Sequence, residues 1–127
     1  MAGLKLDGTG QVKMETLEAA FTALQTMHSC TERLAIAMKN KSNTATFVAQ
    51  FKRVGVPLAS KLKGQFGMIS DQVTAAILAA TKAGGGDVIR LRAMREGVAQ
   101  IRVALEIATT QTIKKHARTD EHAPAAE

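Results

Sequence analysis

The chain has 127 residues, which suits one domain; 46% of them are apolar but only 3% are aromatic. Without Trp or Tyr, the interior must be filled by Ala, Leu, Ile, Val and Met, which favours close helix–helix packing over a β-sandwich. The net charge of +6 favours a polyanionic partner, either nucleic acid, an anionic membrane or an acidic protein. The alternative is a solvated cationic surface.

The cysteine content and the apolar runs bear on the compartment. Cys30 is the only cysteine, which excludes an intramolecular disulfide and a cysteine-based metal cluster and fits a reducing cytoplasm. The first 13 residues lack the apolar core of a signal peptide, and no apolar run approaches the roughly 18 residues of a membrane span. We therefore expect a cytoplasmic protein without a membrane segment.

The N-terminal part predicts a leader followed by a long helix. Residues 1–12 contain three glycines and read as a flexible leader. From Met14 to Met38 the apolar residues recur at helical spacing, which predicts a helix over 13–40. It ends in the cationic segment Lys39-Asn40-Lys41.

In the second predicted helix, the periodicity of the apolar residues favours a continuous helix, whereas Pro57 disfavours one. Residues 42–44 offer N-cap side chains, and apolar residues then recur on one face from Phe47 to Leu58. Pro57 lacks the N–H that would bond the carbonyl of Arg53, and an unbroken helix costs about 3 kcal/mol or more there. The sequence predicts either a kink near residues 55–57 or a new helix with Pro57 in its first turn. Glycines 64 and 67 then favour a turn.

The C-terminal half predicts two further helices. The third starts near Asp71 and runs to about Ala83, and the glycines at 84–86 break the chain. Asp87 then caps a fourth helix, which ends in residues 114–116. We predict an all-α, up-and-down four-helix bundle over 13–116 with short connections, and a disordered tail over 117–127.

Catalytic and metal-binding patterns are absent from the sequence. His28, His116 and His122 form no pair with metal-ligand spacing, and no nucleophile–base set is recognisable. The glycine-rich segments lack the residues of a phosphate-binding P-loop. We expect no enzymatic activity, no cofactor and no metal.

Basic residues form the strongest signal. Between Glu32 and Asp71 there are seven cations and no acid. Lys52 and Lys63 are eleven residues apart, so a continuous helix would align them. The fourth helix carries three arginines on one side and few acids. We interpret the following as candidate nucleic-acid-binding residues: Lys52, Arg53, Lys61, Lys63, Arg92, Arg95 and Arg102. The missing Tyr and Trp argue against base stacking, so the contacts would be mainly to phosphates.

Residues 51–67, FKRVGVPLASKLKGQFG, carry a family resemblance. A basic–basic–apolar start, a segment with Pro57 and a Gly-x-Phe-Gly ending follow one another. In this the chain resembles the four-helix-bundle proteins encoded in ribosomal-RNA intervening sequences and the related accessory variability proteins of diversity-generating retroelements. The resemblance implies a pentameric barrel with a basic surface that binds a reverse transcriptase and its template RNA. The residues that match its basic positions are Lys52, Arg53, Lys61 and Lys63.

These observations predict a non-enzymatic basic bundle that binds nucleic acid, with RNA favoured, as an accessory subunit of a reverse transcriptase or a similar nucleoprotein assembly. One alternative is a small helical subunit of an RNA-guided effector complex. Another is a protein-interaction module that binds no nucleic acid. The many small residues of the last two helices indicate tight packing or a self-association seam, so we also expect a homo-oligomer.

Overall fold

The computed structural model describes residues 6–82 and 86–117, and over these residues it consists of four α-helices. In chain order they are α1 (Gly8–Lys39), α2 (Ala45–Leu62), α3 (Gly67–Thr81) and α4 (Gly86–His116). Contacts link α1 to α2, α2 to α3, α3 to α4 and α4 back to α1, so the helices form a closed ring around one core. Successive helices run antiparallel through short connections. The predicted all-α, up-and-down four-helix bundle is confirmed.

The core is aliphatic apart from one aromatic ring. Phe51 is fully buried, whereas the other three phenylalanines are only half-buried at the edge of the core. Each helix contributes fully buried aliphatic side chains, and these include Leu17, Leu24, Met27, Leu34, Leu62, Val73, Met94, Ile101 and Leu105. Burying one such side chain stabilises the fold by about 1.5–3 kcal/mol.

The start of α1 differs from the prediction. Residues 8–12, which the sequence assigned to a flexible leader, are helical. Asp7 is the N-cap, and its Oδ1 accepts a hydrogen bond from the backbone N–H of Gly10 at 2.7 Å. The preceding Leu6 is buried and pairs with Ala117 in an antiparallel bridge. A capping side chain and a tertiary contact thus extend the helix. Residues 1–5 of the predicted leader lie outside the described residues.

Helix α2 runs unbroken through Pro57, so the predicted new helix at this position is wrong. Pro57 is exposed, while the flanking Phe51, Leu58 and Leu62 are buried in the core. Their burial offsets the missing backbone hydrogen bond. The predicted turn after α2 is confirmed, because the N–H of Phe66 donates to the carbonyl of Leu62 at 2.7 Å.

The bounds of α3 and α4 also shift by a few residues. Helix α3 begins at Gly67, four residues before Asp71, and ends at Thr81. Helix α4 begins at Gly86, whose φ of +75° is in the left-handed region that favours glycine. Asp87 therefore lies inside the first turn, where it accepts a hydrogen bond from the Thr44 hydroxyl at 3.0 Å. Residues 83–85 and 118–127, with the rest of the predicted break and tail, lie outside the described residues.

Small residues bring α3 close to both of its neighbours. A Cβ at Gly97 would lie 2.7 Å from the Cβ of Ala76, and a Cβ at Gly55 would lie 2.7 Å from the Cδ1 of Ile77. Ala76 and Ile77 are buried at these contacts, which agrees with the tight packing predicted from composition. No helix among the described residues has the length and apolar character to cross a membrane.

Candidate nucleic-acid interface

The four predicted cations of α2 and its C-terminal end lie on two sides of the helix. Lys52 and Lys63 are both exposed and share one side, as the continuous helix requires. This side leads to α3, since the carbonyl of the neighbouring Ala59 accepts a hydrogen bond from a serine of α3. Arg53 and Lys61 point instead toward the groove between α1 and α2. The sequence grouped these four cations, and the structure separates them into two pairs.

The upper part of the α1–α2 groove is polar and basic. Arg33 of α1 and Arg53 of α2 line opposite walls of a cleft of about 430 Å³. The other polar side chains of the cleft are those of Thr26, Ser29 and Gln50. None of the residues that line it is acidic. Arg33 is therefore a candidate residue that the sequence analysis missed as part of a site, although it is one of the seven cations in the acid-free run.

The floor of this cleft is formed by Cys30 and Val54. The Sγ of Cys30 lies 3.9 Å from the Oε1 of Gln50 and donates a weak hydrogen bond to it. Burial raises the pKa of the Cys30 thiol, and the nearby charge of Arg33 only partly opposes this. The thiol is thus neutral near pH 7 and places no negative charge beneath the arginines.

The lower part of the same groove is more apolar. Lys61 lies at its edge across from Glu15, and Pro57 and Leu58 line its wall on the α2 side. The cavity measures about 390 Å³. Lys61 has no acidic group within 4 Å among the described residues, so its ammonium remains open to an external anion.

The three predicted arginines of α4 differ in availability. Arg95 donates from Nε and Nη2 to the two carboxylate oxygens of Glu32, at 3.1 and 2.9 Å. This pairing lowers the pKa of Glu32 and raises that of Arg95. Arg92 is exposed and Arg102 is half-buried, and neither has an acidic partner within 4 Å among the described residues. The acid that engages Arg95 comes from α1, so inspection of α4 alone could not reveal it.

A second polar contact joins α1 and α4 at the opposite end. The Nδ1 of His116 lies 3.2 Å from Oδ1 of Asp7, and the Nζ of Lys13 lies 3.2 Å from His116 Nε2. The hydrogen bond from the backbone of Gly10, together with His116, lowers the pKa of Asp7. These groups cap α1 and fasten it to α4. They are engaged with one another and are weaker candidates for an external ligand.

The unpaired basic charge is therefore concentrated on the C-terminal half of α1 and on α2. All seven cations between Glu32 and Asp71 are exposed, and none is within 4 Å of an acid among the described residues: Arg33, Lys39, Lys41, Lys52, Arg53, Lys61 and Lys63. Such an array can neutralise several phosphates at once. Comparison of the chain with family models, curated proteins and solved structures found no match.

Proposed function

We propose that this chain is a non-enzymatic helical bundle that binds nucleic acid, with RNA favoured, through contacts to phosphates. The observation that supports this most is the run of seven exposed cations over residues 33–70, which have no acidic partner within 4 Å in the part of the chain that the structure describes. Charges that are paired within the fold gain little from an external anion, whereas unpaired ones release counterions from the nucleic acid.

The proposed contacts are the seven residues predicted from the sequence together with Arg33. Arg95 is the weakest of them, because it would have to leave Glu32 in order to bind a phosphate. Phe51 is buried and the other three phenylalanines are half-buried, so the described residues offer bases no fully exposed aromatic ring to stack on. The proposal therefore favours base-paired, structured RNA, which proteins contact largely through its backbone.

Fluorescence anisotropy with a labelled RNA hairpin at 50–200 mM salt tests this proposal. Neutralising between four and seven phosphates gives a slope of log K against log salt of about −4 to −6. A DNA duplex of the same sequence measures the preference for RNA. No binding at 50 mM salt, or an affinity that does not change with salt, would contradict the proposal.

The place of the protein in a larger assembly is a separate part of the proposal. We infer an accessory subunit of a reverse transcriptase or a similar nucleoprotein complex, and this part depends on the resemblance of residues 51–67. Co-purification with a reverse transcriptase encoded next to the gene tests it. The absence of such a neighbouring gene would remove the support for this part and leave RNA binding as a separate question.

An interaction module is the second candidate function, and exposed apolar residues favour it. Met68 and Leu78 of α3 are 81% and 64% exposed, and Val103 and Ile107 of α4 are 54% and 52% exposed. Met68 and Ile107 line one groove between α3 and α4, and Val103 lies one turn before Ile107. A contiguous apolar patch of this kind is typical of a protein-binding surface. We propose a homo-oligomer, and a pentamer if the family resemblance holds. Light scattering measures the molar mass in solution and tests this part, since a monomer would exclude the homo-oligomer and the pentamer.

A further inference from the structure

The upper α1–α2 cleft has the side chains of an anion-binding site. Thr26, Ser29 and Arg33 follow one another at i, i+3 and i+7, which places them along one face of α1. Gln50 and Arg53 are three residues apart on α2 and line the same cleft from the other side. Two guanidinium groups, two hydroxyls and an amide thus converge on one space.

The charge in this cleft has no counterpart within the described part of the fold. Neither Arg33 nor Arg53 lies within 4 Å of a carboxylate among residues 6–82 and 86–117. The nearest acid in sequence is Glu32, and its two oxygens are taken by Arg95 on the other side of α1. The two arginines are therefore available to an anion from outside.

The chemistry of the lining selects among anions. Arginine side chains present N–H groups in a planar fork, which matches the paired oxygens of a phosphate. The Ser29 hydroxyl and the Gln50 amide N–H can donate to the remaining oxygens. The exposed Thr26 hydroxyl can do so by rotating away from the carbonyl of Thr22, to which it donates at 3.4 Å. Cys30 and Val54 add apolar surface to the lining and no charge.

We propose that the cleft between Arg33 and Arg53 binds a phosphate group through both guanidinium groups, assisted by Thr26, Ser29 and Gln50. In the RNA complex this phosphate belongs to the RNA backbone, and to that extent the inference rests on the proposed function. Lys61 lies eight residues beyond Arg53, about 12 Å along the same groove. Lys61 can therefore bind a neighbouring phosphate of the same RNA strand.

Two double variants of the full chain test the site. Arg33→Ala with Arg53→Ala removes two charges from the cleft, and Lys52→Ala with Lys63→Ala removes two charges from the α3 side of α2. Both pairs are exposed, and circular dichroism checks the fold of each variant. For an RNA hairpin, the cleft variant should bind about tenfold more weakly or worse, with a salt slope reduced by about 2. The Lys52→Ala with Lys63→Ala variant is the matched control, and its loss of binding free energy for the hairpin should be less than half that of the cleft variant. Arg33→Lys with Arg53→Lys should fall between wild type and the cleft variant, because it retains charge but loses the forks.

A titration of the wild-type chain with inorganic phosphate, followed by the NMR signals of the arginine Nε–H groups, does not require any variant. Saturable shifts at Arg33 and Arg53, but not at Arg92 or Arg102, support the site. If the hairpin binds and both double variants weaken equally, the cleft site is wrong and RNA binding stands. If wild type binds no RNA but phosphate shifts the cleft, the proposed function fails and the cleft is a site for small phosphate compounds. If neither ligand binds, both proposals are wrong.

Discussion

Helix α1 is flanked by two grooves that use charge in opposite ways. In the α1–α4 groove, Arg95 is held by Glu32 and His116 is held by Asp7. In the upper cleft of the α1–α2 groove, Arg33 and Arg53 line opposite walls, and no acidic side chain of the described residues lines this cleft. Glu32 and Arg33 are adjacent in sequence, yet a rotation of about 100° per residue directs them to different grooves.

This difference shows why a count of charges is a poor guide to a binding surface. Both grooves contain arginines, and the sequence suggested both as contacts. Only tertiary structure determines which arginines are already neutralised. In the α1–α4 groove, Arg95 is paired with an acid of the neighbouring helix, whereas Arg33 and Arg53 have no acidic group within 4 Å among residues 6–82 and 86–117.

The largest expected effect compares the cations of the α1–α2 groove with the three arginines of α4. Changing Arg33, Arg53 and Lys61 to Ala lowers the net charge by three, and so does changing Arg92, Arg95 and Arg102 to Ala. We expect the first triple variant to bind an RNA hairpin about 100-fold more weakly at 50 mM salt, with a salt slope smaller by 2 to 3. The α4 triple should lose less than a third of that slope. Anisotropy measures both, and equal losses would break the comparison.

The tight contacts of α3 contrast with the open groove on α1. Gly97→Ala should destabilise the fold by about 1–3 kcal/mol, because the new Cβ would lie 2.7 Å from that of Ala76. Urea unfolding measures this change. Gly64→Ala is the control, since nothing lies within 4 Å of its Cβ position. It should be neutral or stabilising. Similar losses for both variants would contradict the close approach of α3 and α4.

Pro57 borders the α1–α2 groove and weakens the helix that carries Arg53. Pro57→Ala restores an N–H that can donate to the carbonyl of Arg53, so we expect the free energy of unfolding to rise by about 1 kcal/mol or more. Urea unfolding is again the measurement. Ser60→Ala, at another exposed position of α2, should change stability by less than about 0.5 kcal/mol. A less stable Pro57→Ala variant would show that the proline ring itself supports the groove.

The smallest expected effect concerns the pair that neutralises the α1–α4 groove. A double-mutant cycle with Glu32→Gln and Arg95→Gln should give a coupling of about 0.2–1 kcal/mol, as expected for an exposed pair. Because the pKa of Glu32 is lowered in the folded state, this stability is present above the ordinary glutamate pKa of about 4.3 and is lost as pH falls through the lower folded value. Cycles measured at a series of pH values from 7 down to 2 test the sign, because the coupling should shrink as Glu32 becomes protonated. A coupling that grows as pH falls would contradict it.

Periodicity was sufficient to predict four helices and their order, because each buries one apolar stripe. It failed where a local rule competes with tertiary contacts. The intrinsic cost of Pro57 suggested a break, and the burial of Phe51 and Leu62 overrides it. The glycines near the N-terminus suggested a leader, and the Asp7 cap with the Leu6–Ala117 bridge extends α1 instead.

The candidate site also has one part that the sequence predicts and another that depends on tertiary contacts. The acid-free run from Arg33 to Ser70 is visible in the sequence, and so is its exposure, since helices of a bundle turn charge outward. The pairing of Glu32 with Arg95 joins residues 63 positions apart and depends on how α1 and α4 meet. The convergence of Arg33 and Arg53 likewise requires the antiparallel register of α1 and α2.

The contact between Asp7 and His116 also bears on the order of folding. These residues are 109 positions apart, whereas the α1–α2, α2–α3 and α3–α4 hairpins join segments that follow one another in the chain. Closing a loop costs entropy that grows with the logarithm of its length, so the α1–α4 seam is the most expensive to form. We therefore expect the α1–α2 hairpin, which carries Arg33 and Arg53, to form earlier in folding than the α1–α4 seam.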